Sequence, residues 1–98
     1  DPVVARERFR RLAGDLVGER TAEAIRVLEV ATALYPESPD AHEWLADACA
    51  ENGDLTRAHG EYATALRAMS RDPKASADEK TIFRARVTKE MQRAAGIP

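Results

Sequence analysis

Apolar residues return along this chain every three or four positions, and the stretches that carry the rhythm are separated by short polar punctuation. Ala5, Phe9, Leu12, Ala13 and Leu16 predict a first helix from about Pro2 to Val17, which Gly18 helps to end. Ala24, Ile25, Leu28, Ala31 and Leu34 predict a second, capped by Thr21 and stopped before Pro36. Ser38 as cap with Pro39 at the first helical position opens a third, whose inward face is Ala41, Leu45, Ala48 and Cys49. Asn52-Gly53-Asp54 closes it, and Asp54 caps a fourth that carries Leu55, Ala58, Tyr62, Ala65, Leu66 and Met69 to about Ser70. Gly60 within that helix costs about 1 kcal/mol relative to alanine unless a neighbour packs against it. After a polar link over 71–75, Ser76 and Glu79 form a capping box for a fifth helix, about 77–95. Its face is Phe83, Val87, Met91 and Ala94, and Gly96 and Pro98 stop it.

Two of these stripes are copies. Ala24, Leu28 and Ala31 return 34 residues later as Ala58, Tyr62 and Ala65. Small residues at fixed places in a repeating helix pair let two backbones approach closely, so the period predicts stacked antiparallel helices. The expected fold class is all-α, with about five helices in one domain over 1–98. Repeat one covers about 3–36 and repeat two about 38–70, and a capping helix follows at about 77–95.

These positions resemble the tetratricopeptide repeat family. The resemblance is carried in repeat two by Leu45-Ala46, by Gly53-Asp54 at the inter-helix turn, and by Ala58, Tyr62 and Ala65 on the following helix. In repeat one Leu12-Ala13, Ala24, Leu28, Ala31 and Pro36 match, with a turn one residue short. Ser70 stands where the family has proline, and His42 where it often has a large apolar residue. The resemblance implies an α-α superhelix whose concave face binds a protein or peptide, sealed by an extra C-terminal helix. The stretch from Tyr35 through Gly53-Asp54 also looks like repeats appended to bacterial hydrolases, which implies an alternative role as an assembly or dimerisation appendage of a larger protein.

Composition narrows the chemistry. Fifteen basic against 17 acidic residues, net −2, do not advertise a nucleic-acid partner or an anionic membrane. Arg84, Arg86, Lys89 and Arg93 give the fifth helix a basic side, but without aromatic interleaving it reads as a solvated face. No apolar run reaches the roughly 20 residues that span a bilayer. Cys49 is alone, which excludes an internal disulfide and a cysteine-rich metal site and leaves a cytoplasmic location as the default. Twelve Arg against three Lys, with abundant Ala, suits a high-GC bacterial genome, and a start at Asp1 suits a piece of a longer chain. A thiol-imidazole pair from Cys49 with His42 or His59 lacks an orienting third group, and no nucleophile motif, phosphate loop or metal-spaced histidine pair is present. The expectation is a non-enzyme without cofactors.

Charge distribution supplies the candidate site. From Glu37 to Asp54 there are six acidic residues and no Lys or Arg. Asp40, Glu43, Asp47 and Glu51 fall three or four apart, on one helix face, with Trp44 at its border. That face lies where the resemblance puts the concave groove. Its functional reading is capture of a basic or amine-bearing peptide by Asp40, Glu43, Trp44, Asp47 and Glu51, with Arg10 and Gly14 on the neighbouring helix; its plain reading is a solvated face. Arg8, Arg10 or Arg11 are candidates to neutralise part of the stripe. From Arg67 to Arg93 eight basic and four acidic residues leave a local charge of +4, so the basic end of one copy could meet the acidic middle of another in a homodimer. Val3, Val4, Val27, Val30 and Ile82 are the apolar residues left over for such a contact.

Overall fold

The computed structural model describes residues 21–96. Four α-helices make up its regular structure: α1 (Thr21–Leu34), α2 (Pro39–Glu51), α3 (Leu55–Arg71) and α4 (Ala77–Ala94). They correspond to the second to fifth helices expected from the sequence. The expected first helix, over 2–17, lies outside the described residues, as do Arg10 and Gly14.

Each boundary has a local cause. The Ser38 side chain accepts the Ala41 amide at 3.2 Å, and Pro39 occupies the first helical position, where no amide hydrogen is needed. At the other end of α2, the Gly53 amide donates to the Ala50 carbonyl and the Asp54 amide to the Cys49 carbonyl, so the orphan carbonyls of the last turn are satisfied. Gly53 takes a φ of 83°, a left-handed conformation that a side chain would strain. Asp54, next in line, already caps α3 by accepting the Arg57 amide at 3.1 Å. One glycine and one aspartate therefore turn the chain between two antiparallel helices. Ser76 and Glu79 exchange hydrogen bonds as a full capping box at the start of α4.

The core is built largely from alanines. Ala24, Ala31, Ala41, Ala46, Ala48, Ala58 and Ala65 have no exposed surface, and Leu28, Leu45, Cys49, Tyr62, Phe83 and Val87 fill the space between them. α2 packs between α1 and α3, with α4 laid against α3. Two leucines placed on the inward stripes lie outside the core: Leu34 is 59% exposed and Leu55 47%. The stripe of α1 runs Ala24, Leu28, Ala31 and on to half-buried Tyr35 by steps of four, three and four, which leaves Leu34 about one hundred degrees off the face. Leu55 is the first residue of α3, where the helix begins to clear its neighbours.

Candidate functional site

The acidic stripe of α2 does not lie bare in water along its length. Glu43 is only 5% exposed, and the guanidinium of Arg86 on α4 grips it with both arms, Nε to Oε2 at 3.1 Å and Nη2 to Oε1 at 2.8 Å. One turn on, Asp47 is exposed and accepts the Tyr62 hydroxyl from α3. Facing Asp47, one turn beyond Arg86, stands Glu90. The two helices thus meet through matching pairs four residues apart, Glu43 and Asp47 on α2 against Arg86 and Glu90 on α4. The first rung is an ion pair; the second is two acids.

Carboxyl oxygens of Glu43, Asp47 and Glu90 all lie within 4.8 Å of one another. Removal from water is the main cause that pushes the Glu90 carboxyl up to about 8, followed by the negative charges of Asp47 and Glu43. Burial raises Asp47 in the same direction, with its Tyr62 hydrogen bond working against the rise. The Arg86 guanidinium also lies 5.2 Å from the centre of the Phe83 ring, so it is held from two sides. Among the described residues these three acids are the only set spaced to admit a cation. A guanidinium already occupies both oxygens of Glu43, however, so the set is a carboxyl cluster with its own cation rather than a metal centre.

Beyond the second rung the helices part into an open cleft of about 500 Å³, bordered by Asp47, Glu51, Leu55, Tyr62, Glu90 and Arg93. Of the residues singled out in the sequence, Asp47 and Glu51 reach this cleft. Glu43 stands behind it as a buried ion pair, Asp40 is half-buried near enough to Arg86 to act on its charge, and Trp44 is half-buried with its side chain packed on the core. Tyr62, Arg86, Glu90 and Arg93 are what the charge stripe alone leaves out. A signal for two of them was present: Arg86 and Glu90 repeat the four-residue spacing of Glu43 and Asp47.

Residues 16–76 match a family model described as Tetratricopeptide repeat, well over half of the chain. The chain belongs to the tetratricopeptide repeat family. Comparison with curated proteins and with solved structures gives no significant match. The tetratricopeptide match covers α1, α2 and α3 and ends at Ser76, where α4 begins. Tetratricopeptide repeats are in general non-catalytic modules for protein-protein interaction. No described helix is long and apolar enough to cross a membrane.

Of the histidines and the cysteine singled out in the sequence, His59 is exposed, and His42 and Cys49 are spent on structure. His42 Nε2 donates to the Pro36 carbonyl at 2.7 Å, and Nδ1 lies 2.9 Å from Glu61 on α3. The ring thereby ties the turn before α2 to the helix after it. Cys49 has no exposed surface, and burial pushes its thiol up, away from the reactive thiolate.

Proposed function

We propose that this tetratricopeptide repeat domain presents the cleft between α2 and α4 to a basic or amine-bearing segment of a partner protein, as a non-catalytic interaction module. The observation that carries the reading is the cleft's lining. Asp47 and Glu51 set two acids against one base, Arg93, beside the carboxyl of Glu90, while Ala50, Leu55 and Ala94 supply apolar surface for the methylenes of a lysine or arginine stem. The walls are helices already packed and capped, so little ordering remains for binding to offset. Glu43 and Arg86 hold the two walls in register behind the cleft, and Trp44 is a packing residue on the same helix.

The test is fluorescence anisotropy with a labelled lysine-rich peptide, against an acidic peptide of the same length. The lysine peptide should bind and the acidic one should not. D47N/E51Q, which keeps size and removes two charges, should weaken binding roughly 2- to 30-fold, as expected from two exposed ion pairs of a few tenths to 1 kcal/mol each. Equal binding by the variant would remove the cleft from the reading.

A further inference from the structure

Glu90 is an acid placed where an ionised acid has no support. Its Oε2 is shut off from solvent and has no hydrogen-bond partner, while its carboxyl group lies within 4.8 Å of two others. The donors nearby are committed. The Arg86 fork is on Glu43, and the Tyr62 hydroxyl is on Asp47. From α2 the groups facing Glu90 are Glu43 and Asp47, with Glu51 further along the cleft; from α3 it is Tyr62; from α4 itself they are Arg86 and Arg93. With all three acids ionised, this corner would hold three negative charges, one fork already engaged, and a sealed carboxylate oxygen with no donor. A single proton resolves the conflict, because it turns one acid into a donor to a neighbouring carboxylate and removes one of the negative charges.

We infer that the second rung is a proton lock: one proton shared by Glu90 with Asp47 and Glu43 fastens α4 against α2, and its loss loosens α4 while the repeat pair α2–α3 stays closed. The asymmetry follows from what each helix stands on. α2 and α3 share the buried seam of Leu45, Ala46, Cys49, Ala58 and Ala65, with the His42–Glu61 and Asp47–Tyr62 contacts beside it, whereas α4 contributes only Phe83 and Val87 to the fully buried core.

The direction with pH is fixed by linkage. Freed from α4's docked position, Glu90 returns toward its ordinary value of 4.5; docked, it holds its proton up to about 8. The docked state therefore binds more protons between those values. Its advantage is complete below the lower one and is lost as pH rises through the upper one. Raised Asp47 adds in the same sense.

Two measurements on the full chain test the lock. The side-chain carboxyl of Glu90, followed by carbon NMR, should titrate near 8, and a midpoint in the ordinary range near 4.5 would overturn the inference. Amide protection factors of Phe83 and Val87, corrected for intrinsic exchange, should fall by at least about tenfold between roughly pH 6 and pH 9, while those of Leu45 and Ala58 fall less. In E90Q the amide can donate to both acids at any pH, so α4 should keep its protection at the higher pH. An equal fall in E90Q would assign the effect to other groups and dismiss the lock.

Discussion

Helix α2 has two kinds of neighbour and meets them by different means. Against α3 it offers a seam of small and branched apolar groups, Leu45, Ala46, Ala48 and Cys49 facing Ala58, Tyr62 and Ala65. Against α4 it offers Glu43 and Asp47 to Arg86 and Glu90. The buried part of the first seam is indifferent to salt and to pH near neutrality, and its strength lies in area removed from water; the contacts of His42 with Glu61 and of Asp47 with Tyr62 lie at its margins. The second is sensitive to both, and much of its worth lies in direction. A guanidinium fork accepts a carboxylate in few orientations, so Glu43–Arg86 sets where α4 lies along α2 more than how firmly the domain holds together. The labour is divided: apolar packing makes the repeat and seats the last helix on α3 through Phe83 and Val87, and titratable groups fix that helix against α2.

The largest loss is expected at the apolar seam. Leu45 is 2% exposed, with alanines to either side of it in the core, so L45A leaves a void that neighbouring methyls cannot fill. The expected cost is about 2–5 kcal/mol, a large part of the stability of a domain this size. Urea unfolding followed by circular dichroism should show a lower midpoint with an unchanged slope. The loss should be the same at low and high salt; a salt-dependent loss would mean that the two seams are not separable.

The parts of the fold that were legible in the sequence belong mainly to the apolar seam and to the turns. Periodicity of 3.6 places Ala41, Leu45, Ala48 and Cys49 on one face, and side-chain caps at Ser38, Asp54 and Ser76 act within three residues of themselves. Both signals are local, so they survive in one dimension. The charged seam is different. A stripe of acids at i, i+3 and i+4 looks the same whether water or another helix covers it, and the residue that decides the matter for Glu43 lies 43 positions away at Arg86. The charge excess near the end of the chain suggested a meeting of opposite charges between two copies. The structure realises such a meeting within one chain, at the first rung. Leu34 departs from its stripe for a related reason: an apolar residue at the end of a stripe is inward only if something faces it, and no periodicity reports that.

A smaller effect is expected at the charged seam. R86A leaves Glu43 buried and without its cation; a fully buried broken pair costs about 3–5 kcal/mol, but Arg86 itself is half exposed and water can enter, so about 1–3 kcal/mol is expected. Paired with E43Q in a double-mutant cycle, the coupling should be about 0.5–3 kcal/mol and should shrink as salt is added. Amide exchange should report the loss in α4 before α2 and α3. If all three helices lose protection together, α4 is part of the repeat's own cooperative unit and the division of labour fails.

The smallest expected effect is a gain, and it touches neither seam. Gly60 lies on the outer face of α3, and a methyl group added there would meet nothing within 4 Å. No neighbour therefore compensates for its conformational freedom, and G60A should stabilise the domain by about 0.5–1 kcal/mol through restriction of the unfolded chain and better helix propensity. Because the added group contacts no titratable residue, the gain should be equal at pH 6 and pH 9, measured by the shift in urea midpoint. That equality calibrates the comparison. L45A should match it in being independent of pH, while E90Q should give little at the lower pH and a gain at the higher one. If G60A also changed its effect with pH, the dependence would belong to the whole domain rather than to the rung between Asp47 and Glu90.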